Sequence, residues 1–244
     1  MGAKGTPNGI QAIFFDFDGT LRHSVPTGAD VFTDYVITLG LRLNLEDRLR
    51  AMRWEHRYWA SSADLRDDLL AHSGTTEKFW IEYSRRRLVA LGASPAWAAE
   101  VAPKVSMHMG EVYKPESIVP DDVRKTLAEL KQAGYKMAVI SNRDKPFQAD
   151  LDDHRLSEFF SFSLAGGEVN SYKPETRIFE HALQRGNVTA DETIYVGDNY
   201  FADVVGSRRA GLRPVLYDPE GVFPEADCTT IKTFDELKSV LKVI

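Results

Sequence analysis

The chain has a single cysteine, Cys228, in 244 residues. One thiol closes no internal disulfide and builds no cysteine-clustered metal site, and it fits a reducing compartment. Positive charge is not in surplus: 30 Lys and Arg against 36 Asp and Glu give a formal net charge of −6. With a pI near 5.6, the balance argues against a general nucleic-acid binder, which needs excess cations to hold a polyanion. No apolar run approaches the roughly 18 residues that a bilayer span requires. The opening MGAKGTPNG has no apolar stretch of a secretory signal, and its Gly2 and Thr6 match a myristoylation pattern only loosely. Internal repeats and low-complexity blocks are missing too. These absences lead us to expect a cytoplasmic protein with neither nucleic-acid nor membrane partners.

What is present is ordinary globular material, 43% hydrophobic and 27% charged, long enough to bury a substantial core in one large domain or two small ones. Three textures divide it. Residues 11–17 (QAIFFDF) form a short apolar run that ends in carboxylates and Gly19, as a buried strand does when it feeds a loop. Residues 22–111 read as all-helical. Asn44 caps one segment and Ser94, followed by Pro95, another. All four tryptophans, Trp54, Trp59, Trp80 and Trp97, lie in this stretch, which also holds twelve acidic and twelve basic residues. We expect those tryptophans to be mostly core, and arginines such as Arg50, Arg53, Arg85, Arg86 and Arg87 to pair with neighbouring carboxylates. Beyond Val119 strand and helix alternate: helices at 121–134, 147–156, 174–185 and 201–210, strands at 135–140, 193–196 and 213–217. That alternation predicts an α/β fold, a parallel sheet with helices on both faces, formed by residues 9–21 and 112–244 with 22–111 inserted.

Four signals sit at strand ends, where an open α/β sheet binds its ligands. In Asp16-Phe17-Asp18-Gly19-Thr20 both carboxylates project from one face, because residues two apart in a strand point the same way. Their mutual repulsion is what a hard cation relieves, and Gly19 lets the backbone turn and offer N–H groups to an anion. Ser141-Asn142 follows the apolar run KMAVI and puts a hydroxyl where it can meet a phosphoryl oxygen. Lys173-Pro174 places a point charge beside the first turn of a helix. Asp198 ends another strand as a third carboxylate, and Asp203 stands one turn into the next helix, able to orient a neighbour by hydrogen bonding.

DFDGT, VISN, KPETRIF and GDNYFADVVGSRRAG, in this order and on these elements, resemble the four motifs of the haloacid dehalogenase-like hydrolase superfamily, of the capped, phosphoglycolate phosphatase-like type. The resemblance implies a Rossmann-like core with an α-helical cap in the position of the insertion. It implies Asp16 as nucleophile and Asp18 as general acid and then general base. Mg²⁺ would be held by Asp16, the Asp18 carbonyl and Asp198. Ser141, Asn142 and Lys173, together with Gly19 and Thr20, would bind the phosphoryl group, and Asp203 would support Lys173 or the metal. The implied reaction is hydrolysis of a small phosphorylated metabolite, with a sugar-phosphate mutase or a non-catalytic binding protein as alternatives. Displacement of halide needs no proton donor two residues after the nucleophile, so Asp18 argues against a dehalogenase. Carbon–phosphorus cleavage uses a cap lysine, and Lys78 and Lys104 are the two lysines in the insertion, neither in a recognisable setting. One departure stands out: relatives often carry an acidic residue just after the first motif, where this chain has Leu21-Arg22-His23-Ser24. His23 is read as a surface histidine, with substrate contact at the hinge as its alternative. Monomer and homodimer both stay open.

Overall fold

In the computed structural model, which describes residues 9–72 and 76–243, the apolar run at 11–17 becomes strand β1 (Ala12–Phe15), buried along its whole length. The loose myristoylation pattern at Gly2 and Thr6 lies outside the described residues. Alternate residues of β1 point to opposite faces: Ile13 and Phe15 join one apolar cluster with Val123, Leu127 and Phe234, while Ala12 and Phe14 join another with Ile178, Phe179 and Tyr195. A strand covered on both sides reads as a continuous hydrophobic run, which is why this segment carries no polar alternation.

In chain order the remaining strands are β2 (His23–Val25), β3 (Glu116–Ile118), β4 (Lys136–Ser141), β5 (Phe162–Ala165), β6 (Thr193–Gly197), β7 (Arg213–Tyr217) and β8 (Thr229–Ile231). Six of them form a sheet in the order β5-β4-β1-β6-β7-β8, and every pairing in it is parallel. The chain winds outward from β1 through β4 to β5, then returns to the other side of β1 with β6. That reversal is the switch point of a doubly wound sheet, and the loops beyond β1 and β6 open there. The predicted Rossmann-like α/β core is therefore what forms. Two of its strands carry too little signal to be read from sequence: β5 (FSLA) and β8 (TTI) are short edge strands. The helix expected at 201–210 begins as a π-turn over Tyr200–Val204 before Val205–Arg209 continues as an α-helix. The helix expected from Pro174 starts at Thr176 instead, Lys173 and Pro174 forming the turn before it.

The chain divides into two compact units, one comprising the sheet with His23 and Ile118 at its borders, the other Ser24–Ser117. The second unit exits later than residue 111 because the helix Pro95–Val112 runs past that point and leads into β3. Between β2 and β3, which pair with each other at its borders, it is helical, with helices Gly28–Thr38, Leu45–Trp59, Ala63–His72, Glu77–Ala90 and Pro95–Val112. Asn44 and Asp47 close a reciprocal cap at 2.9 and 3.0 Å, and Ser94 caps the helix that Pro95 opens. The core around Tyr58, Phe79 and Tyr83 contains no fully buried tryptophan: Trp54 is partly buried, and Trp59 and Trp80 are 36% and 43% exposed at its rim. The smaller aromatic rings fit the helix interface, leaving the indoles at its edge. The arginines pair as expected, Arg50 with Asp47, Arg53 with Glu46 and Arg85 with Glu82. Arg87 goes further, buried against Glu55 at 2.7 Å with its guanidinium over the Phe32 ring. Among the described residues no helix is long and apolar enough to cross a membrane.

Candidate active site

The centre of the site is a buried lysine. Lys173 follows the loop beyond β5, and its Nζ donates to Asp16 Oδ1 at 2.5 Å, Asp203 Oδ1 at 2.7 Å and the Tyr195 hydroxyl at 3.0 Å. Tyr195 in turn donates its proton to the Ile140 carbonyl at 3.1 Å. The Ile140 carbonyl lies 3.2 Å from the same Nζ, so four acceptors share the three protons of the ammonium. Burial works against the charge of Lys173, but Asp16 and Asp203 outweigh it and hold the proton well above the usual lysine range.

Asp16 leaves the end of β1 with its N–H on the Val196 carbonyl at 2.9 Å, so the sheet itself aims the side chain. Burial pushes its carboxyl up to about 7, against the pull of Lys173 and with the repulsion of Asp203 added. Asp198 stands at the end of β6, where burial and the charges of Asp16 and Asp203 likewise push its carboxyl well above the usual range. Carboxylate oxygens of Asp16, Asp198 and Asp203 lie within 4.8 Å of one another. Asp203 spends one oxygen on Lys173 and the other on the Asn199 N–H at 2.9 Å. One oxygen of Asp198 accepts from the Thr20 hydroxyl at 2.9 Å. Among the described residues no donor reaches Asp16 Oδ2 or Asp198 Oδ2. Three carboxyl groups crowd one ammonium, and two oxygens that no donor among the described residues reaches, at two strand ends, are the donor chemistry of a hard divalent cation. The residues present therefore fit such an ion.

Several expected phosphate-binding groups turn out to be occupied by the protein. The Thr20 hydroxyl, fully buried, gives its proton to Asp198 and accepts the Asp198 N–H at 3.0 Å. A hydroxyl has one proton to give, so Thr20 orients Asp198 rather than meeting a phosphate. Gly19 donates its N–H to the Arg22 carbonyl at 2.8 Å. Its glycine is required for other reasons: φ is +91°, and a Cβ there would lie 2.6 Å from Asp198 Oδ2. Asn142 uses both ends of its amide on the main chain of Lys173, donating to the carbonyl at 2.9 Å and accepting the N–H at 2.6 Å. It holds the lysine loop in place. Ser141, at the end of β4, is buried with no hydrogen bond to its hydroxyl among the described residues.

Asp18 sits apart from the lysine cluster, among arginines. Arg143 grips both of its oxygens, at 2.8 and 2.9 Å, and Arg22 adds a bond at 3.1 Å. His23 is half-buried rather than superficial: its Nε2–H donates to the Thr20 carbonyl at 3.2 Å and its ring meets Tyr217 edge-on. Burial lowers its proton affinity. Tyr195 and Arg143 escaped the sequence reading. Tyr195 looks like one more apolar strand residue, whereas Arg143, next to Ser141-Asn142, could have been suspected from its place just after a strand end.

A family model described as haloacid dehalogenase-like hydrolase matches residues 10–211. A phosphoserine phosphatase of Thermus thermophilus is 29% identical over 240 residues, covering 88% of this chain and 91% of the relative. A glyceraldehyde 3-phosphate phosphatase of Pyrococcus furiosus is 28% identical over 246 residues, covering 96% and 93%. Among solved structures, a 2-haloacid dehalogenase from Pseudomonas syringae superposes with a TM-score of 0.55 at 22% identity, covering 96% of this chain and 99% of that one. The last likeness concerns the fold.

Proposed function

This chain belongs to the haloacid dehalogenase-like hydrolase family, and from that premise we propose that it is a Mg²⁺-dependent phosphomonoesterase acting on a small phosphorylated metabolite. The observation that carries the reading is Asp16 at the end of the central strand, one oxygen fixed by Lys173 and its carboxylate grouped with those of Asp198 and Asp203. A carboxylate so held is an aimed nucleophile. One oxygen of this carboxylate attacks phosphorus and the ester oxygen leaves with the electron pair of the broken P–O bond, giving an aspartyl-phosphate. Lys173 keeps the attacking carboxylate in line and offsets charge around it, and Ser141 has a hydroxyl to donate to a phosphoryl oxygen. Asp18 donates a proton to the departing oxygen and afterwards takes one from the water that cleaves the intermediate, returning Asp16 and free phosphate. Mg²⁺, held by Asp16, Asp198 and the Asp18 carbonyl, would neutralise charge on the transferring group. Thr20 and Asp203 orient the groups around it.

The presence of Asp18 supports ester hydrolysis over halide displacement, since an alkoxide needs a proton to leave and a halide does not. The names of two full-length relatives, both phosphatases, agree. The helical unit, Ser24–Ser117, is inserted directly after the first motif, the chain position of the family's cap. The test is phosphate release from p-nitrophenyl phosphate and a panel of phosphometabolites, with and without Mg²⁺, for the parent and Asp16→Asn. Metal-dependent release that vanishes in the variant is expected. Equal rates in the variant and the parent would overturn the reading.

A further inference from the structure

Arg143 is built into the scaffold more firmly than a surface arginine needs to be. Its main-chain carbonyl accepts the Gly167 N–H at 3.1 Å, and a Cβ on Gly167 would lie 1.9 Å from the Asp144 carbonyl oxygen. The backbone at 143–144 thus rests directly on the turn after β5. The guanidinium lies over the rings of Phe17 and Phe147, 5.0 and 5.5 Å from their centroids, and those rings stack on each other at 5.3 Å. Its Nη1 is tied to Asp150 at 3.0 Å. With one edge so anchored, Nε and Nη2 present a fork to the two oxygens of Asp18 at 2.8 and 2.9 Å.

The side chains of Arg143 and Asp18 are 28% and 38% exposed, so solvent screens the pair and its contribution to folding is on the order of 1 kcal/mol. A planar fork does something else well: it fixes both the position and the rotation of a carboxylate. Arg22 reaches the same carboxylate with one bond at 3.1 Å and fixes neither.

We infer that Arg143 is a positioning residue that fixes the Asp18 carboxylate for taking a proton from the attacking water. The inference rests on the role given to Asp18 above. It adds a residue to the machinery that acts on the substrate only through another side chain, so its effect must disappear when Asp18 is gone.

That property defines the experiment. Using the full chain with Mg²⁺ and the phosphate ester it hydrolyses best, kcat and KM are measured for the parent, Asp18→Asn, Arg143→Ala, the double variant and Arg143→Lys. Losing a general acid or base costs about 10²–10⁴-fold, and Arg143→Ala is expected to lose roughly 10–100-fold in kcat within that ceiling, with KM nearly unchanged. In the Asp18→Asn background the same substitution should cost less than about 3-fold, the signature of two residues acting as one unit. Arg143→Lys, which reaches one oxygen instead of two, should recover part of the loss, and it carries the cycle if the alanine variant melts below the assay temperature. Parental kcat in Arg143→Ala would overturn the inference. So would an equal factor in both backgrounds, which is what a structural or direct substrate-binding role gives. If Asp18→Asn itself keeps the parental kcat, the role of Asp18 is refuted and the inference falls with it, a result distinct from the other two.

Discussion

Replacing Lys173 with methionine isolates the charge balance at the heart of the site. The side chain is 3% exposed, and methionine fills nearly the same volume, so the variant opens no large cavity. What it removes is the ammonium between Asp16 at 2.5 Å and Asp203 at 2.7 Å, leaving their carboxylates and Asp198 to repel one another out of water. Breaking a buried ion pair by deleting one partner costs about 3–5 kcal/mol. For a chain of this size that is a fall of roughly 6–20 °C in melting temperature. The loss should be largest without metal at pH 8 and shrink at pH 5, where the crowded carboxylates take up protons. Excess Mg²⁺ should restore part of it, since a cation between Asp16 and Asp198 supplies positive charge that the lysine no longer does. Thermal melts of parent and variant in EDTA and in Mg²⁺, at both pH values, measure all of this. A fall under about 2 °C in EDTA, or one indifferent to pH and Mg²⁺, would refute the electrostatic reasoning.

Thr20→Val removes the hydroxyl that both donates to and accepts from Asp198, and loss of such an orienting partner is expected to weaken Mg²⁺ binding about 10–100-fold, as calorimetric titration would register. The stability of the metal-free parent should fall as pH rises from 5 to 8. The folded Asp16 carboxyl titrates at about 7 against 3.8 when unfolded, so the folded state holds the extra proton between those values. Its stabilising effect is complete below 3.8 and lost as pH passes through about 7. The span of that loss is up to roughly 4 kcal/mol, read as the difference between urea-unfolding curves of the parent and Asp16→Asn. The subtraction is needed because His23, whose proton affinity burial lowers, contributes stability in the opposite sense as pH rises through the same window.

Much of this molecule is legible in its sequence. Burial of β1 on both faces leaves an unbroken apolar run, and each strand end in the core leaves a carboxylate, a hydroxyl or a glycine behind it. That is enough to expect a parallel sheet with Asp16, Lys173, Asp198 and Asp203 at one site, while the order of its strands comes from the structure. Edge strands are different: β5 and β8 are too short to show a period, and their pairing is decided by neighbours far away in sequence. The division of labour within the site was also hidden. Thr20, Gly19 and Asn142 have the right chemistry to touch a phosphate, but tertiary packing commits the hydroxyl to Asp198, the N–H to Arg22 and the amide to Lys173. Tyr195 was invisible because its hydroxyl meets Lys173, 22 residues earlier in the chain, across the sheet. Which of two polar groups meets the other is a question of geometry, and spacing along a chain does not encode it.

The central claim is that Asp16 carries the phosphoryl group in turnover. The direct measurement is acid quenching of the enzyme during hydrolysis of a phosphate ester, followed by mass analysis of the peptide that contains Asp16 and Asp18. One added phosphoryl group is expected on Asp16, labile to hydroxylamine as an acyl phosphate is, and missing from Asp16→Asn. Turnover with no adduct on that peptide, or an adduct on another residue that persists in Asp16→Asn, would contradict the claim.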